Sequence, residues 1–183
     1  MKRSSIGIFC VFLMAPVFAF AQGCPPVKEI ENFGCASPRI YRGAQPTEEG
    51  IKELARHGVK TIVNLRDADE KADQEKQWAE AAGIRFYNIP FNNWFAPKDT
   101  KVEDVLTLIT STGNQPVFIH CKRGADRTGT VIAAYRISHD GWTARQAKIE
   151  AKKYRFGWWQ FWMDDFIDDY YKKFSKSPQS PKT

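Results

Sequence analysis

The chain has 183 residues, of which 43% are hydrophobic and 26% charged, and its formal net charge is +6. That length supports one domain with a full core. The positive excess is spread along the chain rather than clustered, so it suits an anionic ligand and does not point to nucleic acid.

Lys2 and Arg3, the apolar run at 6–20 and Ala19-Phe-Ala21 predict a secretory signal over residues 1–21. The run is short for a spanning helix, so no stable membrane span is expected. The mature domain would cover 22–174 and be exported, periplasmic or secreted. Ala21-Gln-Gly-Cys24 faintly resembles a lipobox, but its upstream residues fit poorly, so lipidation at Cys24 is the less favoured route. Cys10 leaves with the signal. Cys24 and Cys35 flank Pro25-Pro26 ahead of the core strands, and in an oxidising compartment they are expected to pair as a disulfide. Cys121 is then the odd, reactive thiol.

Arg39–Arg42 reads as a strand. Thr47 is an N-cap followed by Glu48 and Glu49, with Ile51, Leu54 and Ala55 as the helix's apolar face and Gly58 as its stop. Lys60–Leu65 is a buried strand; Arg66-Asp67 at its end is expected to support the nucleophile loop, with a functional role as the alternative. Asp69–Ala82 reads as an exposed helix with Gly83 as its C-cap, and Arg85–Pro90 as the next strand. Phe91–Pro97, with Trp94 and Phe95, is a candidate lid whose aromatics either pack on the domain or stack on a substrate. Lys101–Thr112 is a helix. Pro116–Ile119 is a strand, Val131–Ile137 opens another helix, and Ala144–Tyr154 follows the break at Gly141-Trp142-Thr143. A final aromatic helix through Phe174 packs on the domain by Phe161, Phe166 and Tyr170, with Asp164, Asp165, Asp168 and Asp169 on a solvated face. Residues 175–183 read as a disordered tail. Alternating strands and helices predict an α/β single domain with a mainly parallel central sheet flanked by helices.

The stretch His120-Cys-Lys-Arg-Gly-Ala-Asp-Arg-Thr-Gly129 carries the chemistry. A strand feeding a tight loop that ends on a helix N-terminus directs several N–H groups at one point and favours an anion. Cys121 at the strand end offers a sulfur nucleophile, and cations and helix N-termini favour the thiolate. Arg127 can grip two phosphate oxygens with its planar fork. Gly124 meets a conformation forbidden to other residues. Thr128 can hydrogen-bond the sulfur, and Gly129 permits close packing. Lys122, Arg123, Gly124, Ala125 and Gly129 are the expected substrate-binding positions. The set suits phosphoryl transfer to sulfur followed by hydrolysis. His120 is expected to brace the loop rather than act as a base. The histidines are scattered and the tail acids form no metal constellation, so no metal and no cofactor are expected.

His120–Gly129 resembles the signature loop of the cysteine-dependent protein tyrosine and dual-specificity phosphatases, H-C-x5-R-[ST]-G. Ile40-Tyr-Arg-Gly-Ala-Gln-Pro46 and Thr61-Ile-Val-Asn-Leu-Arg66 resemble the first strands of compact dual-specificity-like enzymes, so the likeness covers roughly residues 38–140. It implies a dual-specificity-phosphatase-like fold, Cys121 as nucleophile, Arg127 as phosphate clamp and no metal. Members of the family carry an aspartic acid on a mobile loop before the cysteine; here Asn92 and Asn93 stand there. Asp126 is the expected general acid, because Asp-Arg-Thr is similar to the order in myotubularins and some bacterial tyrosine and lipid phosphatases; Asp99 is the alternative acid, and a structural role for Asp126 stays open. The expected substrate is a phosphorylated protein, with phosphoinositides or inositol phosphates as the alternative suggested by Lys122 and Arg123. A non-catalytic phospho-ligand module and a rhodanese-type sulfur transferase are the rival readings.

Overall fold

The computed structural model describes Cys24 and Val27–Lys176. The expected signal, residues 1–21, and residues 177–183 of the expected tail lie outside the described residues.

The strands are β1 (Gly34–Ser37), β2 (Ile40–Ala44), β3 (Thr61–Asn64), β4 (Arg85–Asn88) and β5 (Val117–Cys121). They form one sheet in the order β1-β2-β5-β3-β4. β2, β5, β3 and β4 run parallel, and β1 is antiparallel to β2. β3 and β5 are buried along their whole length, as strands covered on both faces must be. β1 is an element that propensity did not reveal. It is only four residues long, and it is tied down by pairing with β2 and by the Cys24–Cys35 disulfide, whose Cα atoms lie 5.5 Å apart.

The helices are α1 (Glu48–Arg56), α2 (Glu70–Ala81), α3 (Asp99–Thr110), α4 (Asp126–Ser138), α5 (Ala144–Lys153) and α6 (Phe161–Ser175). Ile51 and Leu54 of α1 and Ala79 of α2 pack with Ile62 and Phe118 on one face of the sheet. Val105 and Ile109 of α3, Ile132 of α4, Ala147 of α5 and Phe166 of α6 pack with Val63 and Ile119 on the other. Each such Val, Leu, Ile or Phe side chain contributes about 1.5–3 kcal/mol on burial, and each Ala methyl about 0.8 kcal/mol. The N-caps are local: Thr47 accepts from Gly50, Asp69 from Ala72, and Thr143 forms a capping box with Gln146. After edge strand β4 the chain crosses to the opposite face through α3 and returns to the centre as β5. The carboxyl end of β5 therefore opens at the point where the winding reverses, where parallel α/β sheets bind ligands.

Five expectations change. Helix α2 is not simply exposed, because Ala72, Glu75 and Ala79 share a buried stripe and Glu75 is fully buried. Helix α4 starts at Asp126 rather than Val131, so Asp126, Arg127 and Thr128 sit in its first turn. In α6, Phe166 and Tyr170 enter the core, but Phe161, at the first turn, is exposed. Two of the tail acids are bridged by Lys148, whose Nζ lies 2.6 Å from Asp164 and 2.7 Å from Asp168. The helix closes at Ser175, inside the stretch expected to be a tail.

Candidate active site

The loop between β5 and α4 is built by its glycine and by the donors behind it. Gly124 has φ +65°, and a Cβ there would meet the Gly43 carbonyl at 2.3 Å. Only glycine satisfies both conditions. When successive N–H groups turn toward an anion, the carbonyls turn outward and need donors of their own. Here they have them. Lys122 O accepts from Gln45 N at 3.5 Å. Asn32 Nδ2 donates to Arg123 O and Gly124 O at 3.1 Å each, and to Tyr154 O at 2.9 Å. Arg42 Nη2 donates to Gly124 O at 2.7 Å. Ala125 O accepts from Gly129 N. Gly129 lets Phe156 approach; an added Cβ would lie 2.9 Å from its ring.

Cys121 ends β5 at this loop, buried and free of any disulfide. The Thr128 hydroxyl is buried and finds no protein partner among the described residues, which leaves it available to the sulfur. Arg127 folds back from the first turn of α4. Its Nη1 donates to Leu65 O at 3.4 Å and Phe91 O at 3.3 Å, and lies 3.9 Å from Asp67 Oδ2. Carbonyls at the ends of two strands thus aim the guanidinium without a close carboxylate to neutralise it. Lys122 and Arg123 are exposed at the rim, while Gly124, Ala125 and Gly129 are buried.

The three carboxylates near the loop differ. Asp126 Oδ1 accepts from Gly157 N at 2.8 Å, and its Oδ2 from Arg123 Nη2 at 2.6 Å. Both oxygens are occupied, and the residue ties the loop to the segment before α6. Asp99 starts α3 and pairs with Lys173 of α6 at 2.6 Å, and among the described residues it makes no hydrogen bond or ion pair with the loop. Asp67 is 78% exposed beside Arg127. Neighbouring Arg66 donates to Gln45 Oε1 and pairs with Asp69 at 2.9 Å.

Behind Cys121, His120 is wholly buried with its Nε2 2.6 Å from Glu75 Oε1, a close contact outside hydrogen-bond alignment. Glu75 Oε2 accepts from Gln45 Nε2 at 2.9 Å and Asn64 Nδ2 at 3.2 Å. Thus one carboxylate of α2 gathers β3, β5 and the turn after β2.

Sequence reasoning missed Glu75, Arg42, Asn32 and Gly157. For two of them a signal exists. Ala72, Glu75 and Ala79 fall on one helix face, and strand alternation puts Arg42 on the same face as Ile40 and Ala44. Asn32 and Gly157 act through loop geometry, for which the sequence holds no signal.

Trp94, Phe95 and Trp158 are 72%, 68% and 80% exposed, so the aromatics of the candidate lid do not pack on the domain. Arg123 lies over the Trp159 ring at 5.5 Å. Lys152, Arg155, Trp158 and Trp159 line a cleft of about 450 Å³ beside the loop. Among the described residues no cluster of metal-ligating side chains occurs, and no helix is long and apolar enough to cross a membrane.

A family profile described as "PTP-NADK: DSP-PTPase phosphatase fused to NAD+ Kinase" matches residues 28–162. "Dual specificity protein phosphatase TpbA" of Pseudomonas aeruginosa is 34% identical over 140 residues, covering 76% of this chain and 60% of that protein. The chain thus spans less than two thirds of that relative's length. The crystal structure of P. aeruginosa TpbA superposes with a TM-score of 0.65 at 29% identity, over 85% of this chain and 91% of that one. The core catalytic domain of the PP-IP phosphatase SIW14 from S. cerevisiae superposes with a TM-score of 0.69 at 24% identity, over 85% and 98%, and at that identity it shows the shared fold. With a profile matched across most of the domain and the signature loop at the carboxyl end of the central strand, the chain belongs to the DSP-PTPase family of cysteine-based phosphatases.

Proposed function

We propose that this protein is a cysteine-dependent phosphatase that hydrolyses phosphate monoesters of the phosphotyrosine or dual-specificity type. The observation that carries the reading is the placement of Cys121 and the weakly neutralised Arg127 on one glycine-turned loop at the N-terminus of α4. In the first step the Cys121 thiolate attacks phosphorus, the S–P bond forms, and the ester P–O bond breaks as the leaving oxygen takes a proton. In the second, water attacks phosphorus, the S–P bond breaks, and orthophosphate leaves with the thiolate restored. Arg127 and the loop amides hold the equatorial oxygens throughout.

For the proton, we assign Asp67. It combines contact with Arg127 and an open approach. The expected acid, Asp126, has both oxygens engaged by N–H donors, and Asp99 is held by Lys173. Asp126 is then the tie that sets Arg123 and the segment through Gly157.

The exposed aromatics support an aryl phosphate, and a TpbA variant has been crystallised in complex with pTyr. Exposed Lys122 and Arg123 support the second reading, an inositol phosphate or phosphoinositide; a relative at 29% identity is named inositol diphosphatase SIW14. The Cys24–Cys35 disulfide supports residence in an oxidising compartment after export, periplasmic or secreted.

Hydrolysis of a small aryl phosphate, a phosphotyrosine peptide and inositol phosphates, beside Cys121→Ser, tests the proposal. Turnover that vanishes in Cys121→Ser while phosphate still binds is the expected result. Phosphate binding without turnover in the unaltered chain would establish a binding module instead, and the ratio of rates on the substrates decides between the two substrate classes.

A further inference from the structure

Behind the loop, on the side of the Gly124 carbonyl, lies a cation that the proposed reaction does not use directly. Arg42 is 1% exposed, one of the largest fully buried side chains of the domain. It stands on β2 with Ile119 of β5 as its register partner, two residues before Ala44, which pairs with Cys121. One nitrogen, Nη2, donates to Gly124 O. The guanidinium carbon lies 3.8 Å from the centroid of the Tyr154 ring. Its Nε and Nη1 have no hydrogen-bond partner among the described residues. A buried arginine ordinarily has a carboxylate partner, because an unpaired buried charge is costly. Here the nearby acid Glu150 is already held by Arg136 at 2.5 Å. Tyr154 stabilises the cation by its ring face, and no carboxylate forms an ion pair with it among the described residues.

We propose that Arg42 is a positioning residue for the phosphoryl site: a fixed, unneutralised cation behind the loop that holds the Gly124 carbonyl outward and adds positive potential where the anion binds. Burial pushes the Arg42 pKa down to about 10, offset in part by Tyr154, Glu150 and Cys121, so the group stays charged at neutral pH. The other charged or titratable groups near the site are Arg127, Asp67, Lys122, Arg123, Asp126, His120 and Glu75. Arg127 grips from the front; Arg42 acts from the back through backbone and field. Low effective dielectric makes such a charge count at distances where a surface charge is screened.

The inference rests on the loop being the phosphoryl site, so its test uses binding rather than turnover. Two substitutions separate charge from hydrogen bond: Arg42→Gln keeps a donor for Gly124 O and loses the charge, and Arg42→Lys keeps the charge. Inorganic phosphate affinity by calorimetry and the rate of Cys121 alkylation by iodoacetate are measured alongside the melting temperature. The expected result is an affinity about tenfold weaker and slower alkylation in Arg42→Gln, with Arg42→Lys restoring affinity to within about threefold. Equal affinity in all folded proteins would overturn the inference and leave Arg42 as packing. Equal losses in both variants would overturn the role of charge. If Arg42→Gln does not fold, Arg42→Met with Arg42→Lys gives the same contrast of charge, and an Arg42→Lys protein that folds yet binds phosphate tenfold more weakly would overturn it alone. No phosphate binding by the unaltered chain would overturn the site reading, and this inference with it.

Discussion

His120 Nε2 and Glu75 Oε1 lie 2.6 Å apart, both side chains wholly excluded from solvent. The contact joins the strand that carries the nucleophile to a helix on the far face of the sheet. Glu75 also holds Gln45 and Asn64, so its removal strands several buried donors at once.

Glu75→Ala is expected to cost about 2–5 kcal/mol of stability, because it leaves Gln45 Nε2 and Asn64 Nδ2 without their acceptor. Glu75→Gln, which keeps an acceptor, should cost about 1–3 kcal/mol. Urea denaturation followed by circular dichroism measures both. A loss under 1 kcal/mol in Glu75→Ala would mean that the pair contributes little.

The proton donor separates by substitution. On an alkyl phosphate, whose leaving group needs protonation, Asp67→Asn should lower kcat by about 10²–10⁴-fold. Asp99→Asn should stay near the parent rate. Asp126→Ala should lose about 1–3 kcal/mol of stability, because it orphans Gly157 N. If Asp126→Asn rather than Asp67→Asn carries the kinetic loss, the assignment of Asp67 is wrong.

Gly124 should be less tolerant than the glycines that end helices. Gly58 and Gly83 also have positive φ, +76° and +74°, but an added Cβ meets nothing there. Alanine at either should cost about 1 kcal/mol. Gly124→Ala adds a backbone collision at 2.3 Å and should exceed about 3 kcal/mol while abolishing phosphate binding. Thermal melts of the three variants rank them, and equal losses would contradict the geometry.

The disulfide closes a short loop, with a separation of 11 residues. Cys35→Ser should therefore lower stability by about 2–3 kcal/mol on the chain-entropy account. The effect should appear without reductant and vanish when the parent is also reduced. An unchanged melting point would show that β1 is held by its pairing with β2 alone.

Much of the domain was legible along the chain because its determinants are local. Thr47, Asp69 and Thr143 cap the helices they precede, the apolar runs of β3 and β5 announce a buried parallel sheet, and Cys121, Arg127 and Gly124 lie within one seven-residue stretch that builds its own anion nest. The spacing of Cys24 and Cys35 likewise anticipated their pairing. What tertiary structure alone decided is how that stretch is held. Its outward carbonyls need donors, and those come from Asn32, Arg42 and Gln45, up to 92 residues away. Asp126, which the family resemblance put forward as an acid, is engaged by Gly157 across 31 residues. The polar character of α2 hid Glu75, whose environment is set by β3 and β5 rather than by its own helix. Sequence spacing reports which groups a short loop can aim at a ligand. Which distant groups satisfy the back of that loop depends on strand order and crossover, and only the assembled sheet specifies those.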